Sequence, residues 1–413
     1  MNRLVRRLLR ATLGGLAAIA LAVPAAHAGP PLALPPGTAF TPLAVSLITV
    51  PGPVKAVDGK IHLSYELFVT NALPQDVRLD RVTVRDARTH GELASLSGPA
   101  LAGSANALSS PHPGEGSDAT RAMPGPPVLS GSAEWVVWID VAVAASKRLP
   151  RQVEHELDCT VLTPAGTVLR TFRATVGRTV LEQRPPLDLL APVRPGDWYV
   201  SEGCCDNTHH RRGLAPINGV LDVPQRFAID WFKVGPGSRT WVGDPRRLSS
   251  YLSFRQPVLA AAGGRVVEVQ DGLGDNPPPV PPALPPIQDT VGNHITLEVA
   301  PGRYLLYAHL ERGTVKARCG DRVAPGQLLG LIGNSGNSTT PHLHFQVMTG
   351  REFFPTDSPP FTFRSFTVLG QVRPRIWDDN LGLQPTGTLP LTPSPYAGRH
   401  RDEMPLDRNV IRF

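Results

Sequence analysis

Gly333-Asn334-Ser335-Gly336-Asn337-Ser338-Thr339-Thr340-Pro341-His342-Leu343-His344-Phe345 reads as a turn that runs into a β-strand. Gly, Asn and Ser tolerate the left-handed backbone that tight turns need. Pro341 has no N–H to give a ladder and suits the first position of a strand. Along a strand, side chains alternate between faces, so His342 and His344 share one face while Leu343, Phe345 and Val347 share the other. On a helix the two imidazoles would be about 200° apart. The stretch therefore predicts two imidazoles on one side of a sheet and a hydrophobic core on the other.

Working outward, the same pattern recurs. Arg265–Gln270, His294–Val299, Tyr304–Leu310, Leu328–Ile332 and His342–Met348 all read as strands. Between the first two lies Asp271–Asp289, which holds Pro277-Pro278-Pro279 and is read as an insertion unable to join a central strand. Upstream, from about Ala44 to Val176, strand follows strand. Ile61, Leu63, Tyr65, Leu67 and Val69 alternate with the period of a half-buried strand. Val77 and Leu79 keep one parity and Val82 and Val84 take the other, which predicts a bulge between them. Trp135–Val143, Leu157–Leu162 and Val168–Val176 complete about seven strands, the number of an immunoglobulin-like sandwich. Ser97–Gly131 is rich in Gly, Ser, Ala and Pro and predicts a long loop. The expected organisation is all-β. Residues 1–28 form a leader, 29–182 a β-sandwich and 183–196 a Pro-rich linker; residues 197–363 form an antiparallel β-sheet domain and 364–413 a partly disordered extension.

The composition agrees, with 45 Pro and 39 Gly in 413 residues. Arg3, Arg6, Arg7 and Arg10, the apolar run Ala11–Val23 and the small-x-small Ala26-His27-Ala28 have the layout of a secretory signal peptide, so the mature chain is expected to be secreted or periplasmic. The apolar run is short for a transmembrane helix, and no later segment predicts a span. Removing those four arginines from a formal charge of +6 leaves +2, which gives no case for nucleic acid. Export permits disulfides among Cys159, Cys204, Cys205 and Cys319. Neighbouring cysteines seldom bond each other, so Cys204 and Cys205 are expected to seek other partners or to remain free thiols.

His309 closes the run Tyr304–His309, and His209-His210 supplies further imidazoles. Asp230 follows Arg226-Phe227-Ala228-Ile229, read as strand-like, and precedes Trp231-Phe232. A carboxylate in so apolar a setting needs a partner, and a metal is one. Two His and one Asp with an open fourth position make a catalytic Zn²⁺ site.

Gly333–Phe345 resembles the C-terminal signature of the lysostaphin-type, LytM-like zinc metallopeptidases. Tyr307-Ala308-His309-Leu310 is similar to their central motif, and Gly320–Gly330 resembles the hammerhead stretch of that fold. The likeness spans roughly residues 197–350. It implies an antiparallel β-sheet groove, Zn²⁺ as cofactor and the peptide cross-links of bacterial peptidoglycan as substrate. It also implies His344 as a zinc ligand and His342 and His309 as non-ligand histidines that activate water and stabilise the oxyanion. His210, which is followed by Arg as in the family, and Asp230 match the first two ligands, with His209 competing for the first. The family usually places these two ligands four residues apart; here they are twenty apart, with Gly213–Pro224 inserted. That departure leaves open an inactive relative that binds the wall or regulates another hydrolase. A biotinyl or lipoyl carrier, built on a similar hammerhead, needs a lysine on its exposed turn, and Gly333–Thr340 has none.

Overall fold

Alternating apolar residues in the first half of the chain fold into two five-stranded sheets that face each other. In the computed structural model, which describes residues 38–108, 125–205, 207–372 and 387–413, one sheet runs in the order Leu43–Leu47, Lys60–Asn71, Glu134–Ala144, Ala105–Ala107, with Pro53–Lys55 added to Lys60–Asn71. The other runs Val168–Val180, Gln152–Leu162, Val77–Asp86, Glu92–Ser97, with Val128–Leu129 added to Val77–Asp86. Leu63, Tyr65, Leu67 and Val69 are fully buried between the sheets, where they meet Val77, Leu79, Val82 and Val84. The expected parity break is a register shift between Leu79 and Arg81. Ser97–Gly131, read as a loop, instead contains the helix Gly98–Gly103 and two short strands. Leu101, Ala105 and Leu129 anchor that segment in the core, an apolar signal too sparse to register as a strand pattern.

Lys60–Asn71 departs from the half-buried expectation. Its other face carries His62, Ser64 and Glu66, and these are buried too, at 6%, 1% and 0% exposure. Residues 41–413 form one compact unit, and the rest of the chain covers that face. The Pro-rich stretch expected as a linker packs as well: Leu187–Leu189 pairs in parallel with Phe361–Phe363, and Val193 is fully buried.

The second half is built on an eleven-stranded sheet. Its order is Arg322–Val323, Gly264–Gln270, Asn293–Ala300, Arg303–Leu310, Leu343–Met348, Ile229–Val234, Asp197–Ser201, Asn409–Arg412, Phe366–Val372, Leu391–Thr392, and Gly398–His400 also pairs with Phe366–Val372. The strand Leu343–Met348 is central and buried on both faces, between antiparallel partners Arg303–Leu310 and Ile229–Val234. Leu343, Phe345 and Val347 enter the main core with Trp198, Trp231, Leu305 and Phe363. The chain beyond Phe363, expected as a partly disordered extension, supplies strands to this sheet, with Val410 and Ile411 buried. Asp271–Asp289 adds no strand, and its base is tied down where Asn293 Oδ1 accepts the N–H groups of Gly272 and Leu273. Among the described residues no helix is long and apolar enough to cross a membrane; the leader reading, residues 1–28, lies outside them.

The sulfurs of Cys204 and Cys205 lie side by side, while Cys159 and Cys319 are free. The other candidate partners lie elsewhere: Cys159 in the sandwich core and Cys319 on the exposed turn before Arg322–Val323.

Candidate metal centre

The site lies at the end of the three central strands. Asp230 is the second residue of Ile229–Val234, not the close of a preceding strand as its sequence context suggested; Arg226 and Phe227 lie in a turn. The antiparallel register sets Asp230 directly opposite His344, and His344 opposite Ala308. His342 lies one residue before its strand begins. Both histidines nevertheless face the same carboxylate: His344 Nδ1 is 2.9 Å from Asp230 Oδ1, and His342 Nε2 is 3.4 Å from Oδ2. His210 arrives from the short helix His209–Arg212, which begins where Thr208 Oγ1 accepts the Arg211 N–H. Its Nε2 is 3.5 Å from Asp230 Oδ2. The donor atoms of His210, Asp230 and His344 all lie within 4.8 Å of one another. His209, the competing candidate, is exposed, and its ring lies 6.4 Å from that of His210.

Backbone carbonyls set the tautomers. A carbonyl only accepts, so Nδ1 carries the proton in His309 toward Ser335 O (2.8 Å), in His342 toward Thr340 O (2.7 Å) and in His210 toward Ala228 O (3.4 Å). That leaves Nε2 of each ring for the site. His344 is held the other way round. Its Nε2 donates to Gln346 Oε1 at 2.8 Å, and Gln346 Nε2 in turn donates to Pro224 O at 2.8 Å. Nδ1 of His344 is thereby left facing Asp230 with its lone pair. Gln346 is fully buried and was not singled out from the sequence, although the strand period places it on the face of His342 and His344.

The turn from Gly333 to Ser338 holds the two remaining imidazoles. Its carbonyl at Ser335 orients His309, and Ser338 Oγ lies 3.4 Å from His342 Nδ1. The turn packs so tightly that any side chain at Gly336 would run into the backbone of Gly292. The insertion braces it: Asn276 Nδ2 donates to Gly336 O and Ser338 O, and Asp275 Oδ1 accepts the Asn334 N–H. His309 has a positive φ of 61°, an uncommon conformation outside glycine. Its ring centre is 4.9 Å from that of His342 and 5.8 Å from that of His344.

Burial dominates the electrostatics. It pushes His210 down to about 3, with Asp230 offsetting only part of the fall. Burial, with His342 and His344 alongside, holds His309 well below its ordinary value, so His309 is neutral. For Asp230 burial alone would raise the carboxyl, but His342 and His210 outweigh it and hold the group well below the carboxylate range. For His342 burial acts downward, yet the adjacent Asp230 wins and raises it. A buried carboxylate with Nε2 of His210 and Nδ1 of His344 turned toward it suits a divalent cation, and two His plus one Asp is a donor set of catalytic zinc.

Residues 251–355 match Peptidase family M23. Over 57 residues the chain is 47% identical to the glycyl-glycine endopeptidase ALE-1 of Staphylococcus capitis, covering 14% of this chain and 15% of that protein. Over 115 residues it is 44% identical to lysostaphin of Staphylococcus simulans, covering 27% and 20%. The chain thus spans a fifth or less of the length of these relatives. Among solved structures, the catalytic domain of lysostaphin from Staphylococcus simulans aligns at 23% identity over 40% of this chain and 89% of that one, with a TM-score of 0.22. The catalytic domain of EnpA from Enterococcus faecalis aligns at 24% identity over 30% and 67%, with a TM-score of 0.20. The family match contains His309, His342 and His344; His210 and Asp230 precede it.

Proposed function

We propose that this chain, which carries a Peptidase family M23 domain, is an exported zinc-dependent metalloendopeptidase that hydrolyses peptide cross-links of bacterial peptidoglycan. The observation that carries the reading is the convergence of His210, Asp230 and His344, within 4.8 Å of one another. These three residues would hold the ion, His210 through Nε2, Asp230 through its carboxylate and His344 through Nδ1. An ion held there would supply a lowered pKa for a water molecule and polarisation of the scissile carbonyl.

The remaining work falls to the chain's own groups. Gln346 fixes the ring of His344, and Ala228 O that of His210. His309 and His342 share proton acceptance from the attacking water and hydrogen bonding to the developing oxyanion. Both rings are locked by backbone carbonyls, His309 by Ser335 O and His342 by Thr340 O, which spares them reorganisation during reaction. The substrate class rests on the likeness to a glycyl-glycine endopeptidase and to lysostaphin. Export rests on the leader-like residues 1–28. The strand order of the first two sheets supports an immunoglobulin-like sandwich.

The inactive alternative rested on the twenty-residue step from His210 to Asp230. The 3.5 Å between their side chains removes that support. The test is zinc content by elemental analysis together with digestion of purified cell walls. We expect one zinc per chain, lost with activity in His344→Ala, and activity lost but zinc kept in His309→Ala. A purified chain that binds no zinc, or a His344→Ala variant that still digests walls, would overturn the proposal.

A further inference from the structure

Glu66 lies on the outer face of the sandwich strand Lys60–Asn71, fully buried. Two arginines from the catalytic half grip its carboxylate. Arg211 donates through Nη1 to Oε1; Arg226 donates through Nε to Oε1 (2.8 Å) and through Nη2 to Oε2 (2.7 Å). Both guanidinium groups are themselves almost wholly buried, at 4% and 2% exposure. Arg211 is further fixed by the sandwich carbonyls of Tyr65 and Ile139, and its guanidinium lies 5.0 Å over the Trp138 ring.

The positions of the two arginines matter. Arg211 directly follows His210, and Arg226 stands four residues before Asp230. Between them the inserted residues form a hairpin, Ala215–Ile217 with Val220–Asp222, flanked by Leu214 and Val223, which pack on Val136 and Trp138 of the sandwich. No local spacing sets the distance between His210 and Asp230. Beside the sheet pairing of Asp230 and the contact of His210 with Ala228 O, Glu66 ties the two segments together: Arg226 forks both its oxygens, a bidentate pair that constrains separation and angle, and Arg211 holds one of them.

We infer that Glu66 is a positioning residue of the metal centre: the sandwich brackets the two chain segments that carry His210 and Asp230 and so forms an integral part of the peptidase. The zinc arm of this inference rests on the function proposed above. An isolated catalytic half would expose Arg211, Arg226, Leu214 and Val223 and lose the bracket.

The test uses the full mature chain with Glu66→Gln, which keeps shape but removes the charge. Hydrogen exchange on metal-stripped protein reads the bracket without zinc: amides of 208–213 and 225–230 should exchange at least tenfold faster than in the parent, while the strand Gln152–Leu162 is unchanged. Chelator competition should show zinc bound at least tenfold more weakly, and the visible spectrum of the cobalt-loaded protein should shift. Parent-like exchange overturns the bracket. Faster exchange with zinc affinity within twofold of the parent overturns its role at the metal. Faster exchange in a protein whose parent binds no zinc leaves the bracket standing and defeats the metal reading instead. Should Glu66→Gln fail to fold, the combined Glu66→Met, Arg211→Met, Arg226→Met variant removes the three mutually paired buried charges together, a replacement that proteins often tolerate, and leaves the one-third exposed Asp357 to solvent. It should fold and still bind zinc at least tenfold more weakly; parent-like affinity overturns the inference.

Discussion

Asp230 and His344 are cross-strand partners in register, with Oδ1 and Nδ1 2.9 Å apart. The pairing makes the carboxylate a fixture of the sheet rather than of a loop, and precise sites are built on such elements. Asp230→Asn keeps the shape and removes the negative ligand. Zinc binding in chelator competition should weaken beyond the ~10–100-fold typical of losing an outer partner. Stoichiometric zinc in the dialysed variant would refute the ligand assignment.

Gln346 acts one step out. Gln346→Leu removes the acceptor for His344 Nε2 and leaves Pro224 O without its donor. Freed to change tautomer, His344 should bind metal ~10–100-fold more weakly. Gln346→Glu keeps an acceptor and should retain most of the affinity. Equal zinc affinity in the Leu and Glu variants would remove Gln346 from the site.

Much of this was legible in the sequence, and what was missed has a common cause. His342, Leu343 and His344 declared a strand and its two faces through period alone. The same argument reached Gln346 in principle, but a lone Gln carries no chemical signature of a ligand partner. Periodicity also read Leu63, Tyr65, Leu67 and Val69 correctly as core. It gave Glu66 to solvent, because a charged residue on the polar parity of a strand is the mark of an exposed face. Only the long-range partners Arg211 and Arg226 make that burial tolerable, and pairing across 145 and 160 residues leaves no local trace. The meeting of His210 with Asp230 was hidden for the same reason. The tail to Phe413 was read as loose because its four-residue strand Asn409–Arg412 is too short for period to show.

Asn276 offers a way to separate the metal from the proton-handling histidines. It joins the insertion to Gly336 O and Ser338 O, in the turn whose Ser335 carbonyl orients His309 and whose Ser338 hydroxyl lies against His342. It touches none of the three candidate ligands. Asn276→Ala should lower kcat about tenfold or more, since small misplacements of acting groups are costly. Zinc content should be unchanged. A variant that loses zinc in proportion to activity would show that the turn supports the metal rather than the imidazoles.

His155 should govern the acid limit of the sandwich. Its ring is buried beneath Tyr65, whose hydroxyl donates to Nε2 at 2.8 Å, while Nδ1–H donates to Gly177 O at 3.1 Å. Burial pushes this histidine down to about 4 from an ordinary 6.5. The native state therefore resists a proton that the unfolded chain accepts below about pH 6.5. Stability should fall as pH drops from 6.5 toward 4 and level off below, with a total loss of about 3 kcal/mol from this one group. His155→Gln cannot take up that proton in either state. The variant should start less stable at pH 7, because the packing changes, yet lose less between pH 6.5 and 4 in urea titrations. Parallel pH profiles for parent and variant would show that another group sets the acid limb.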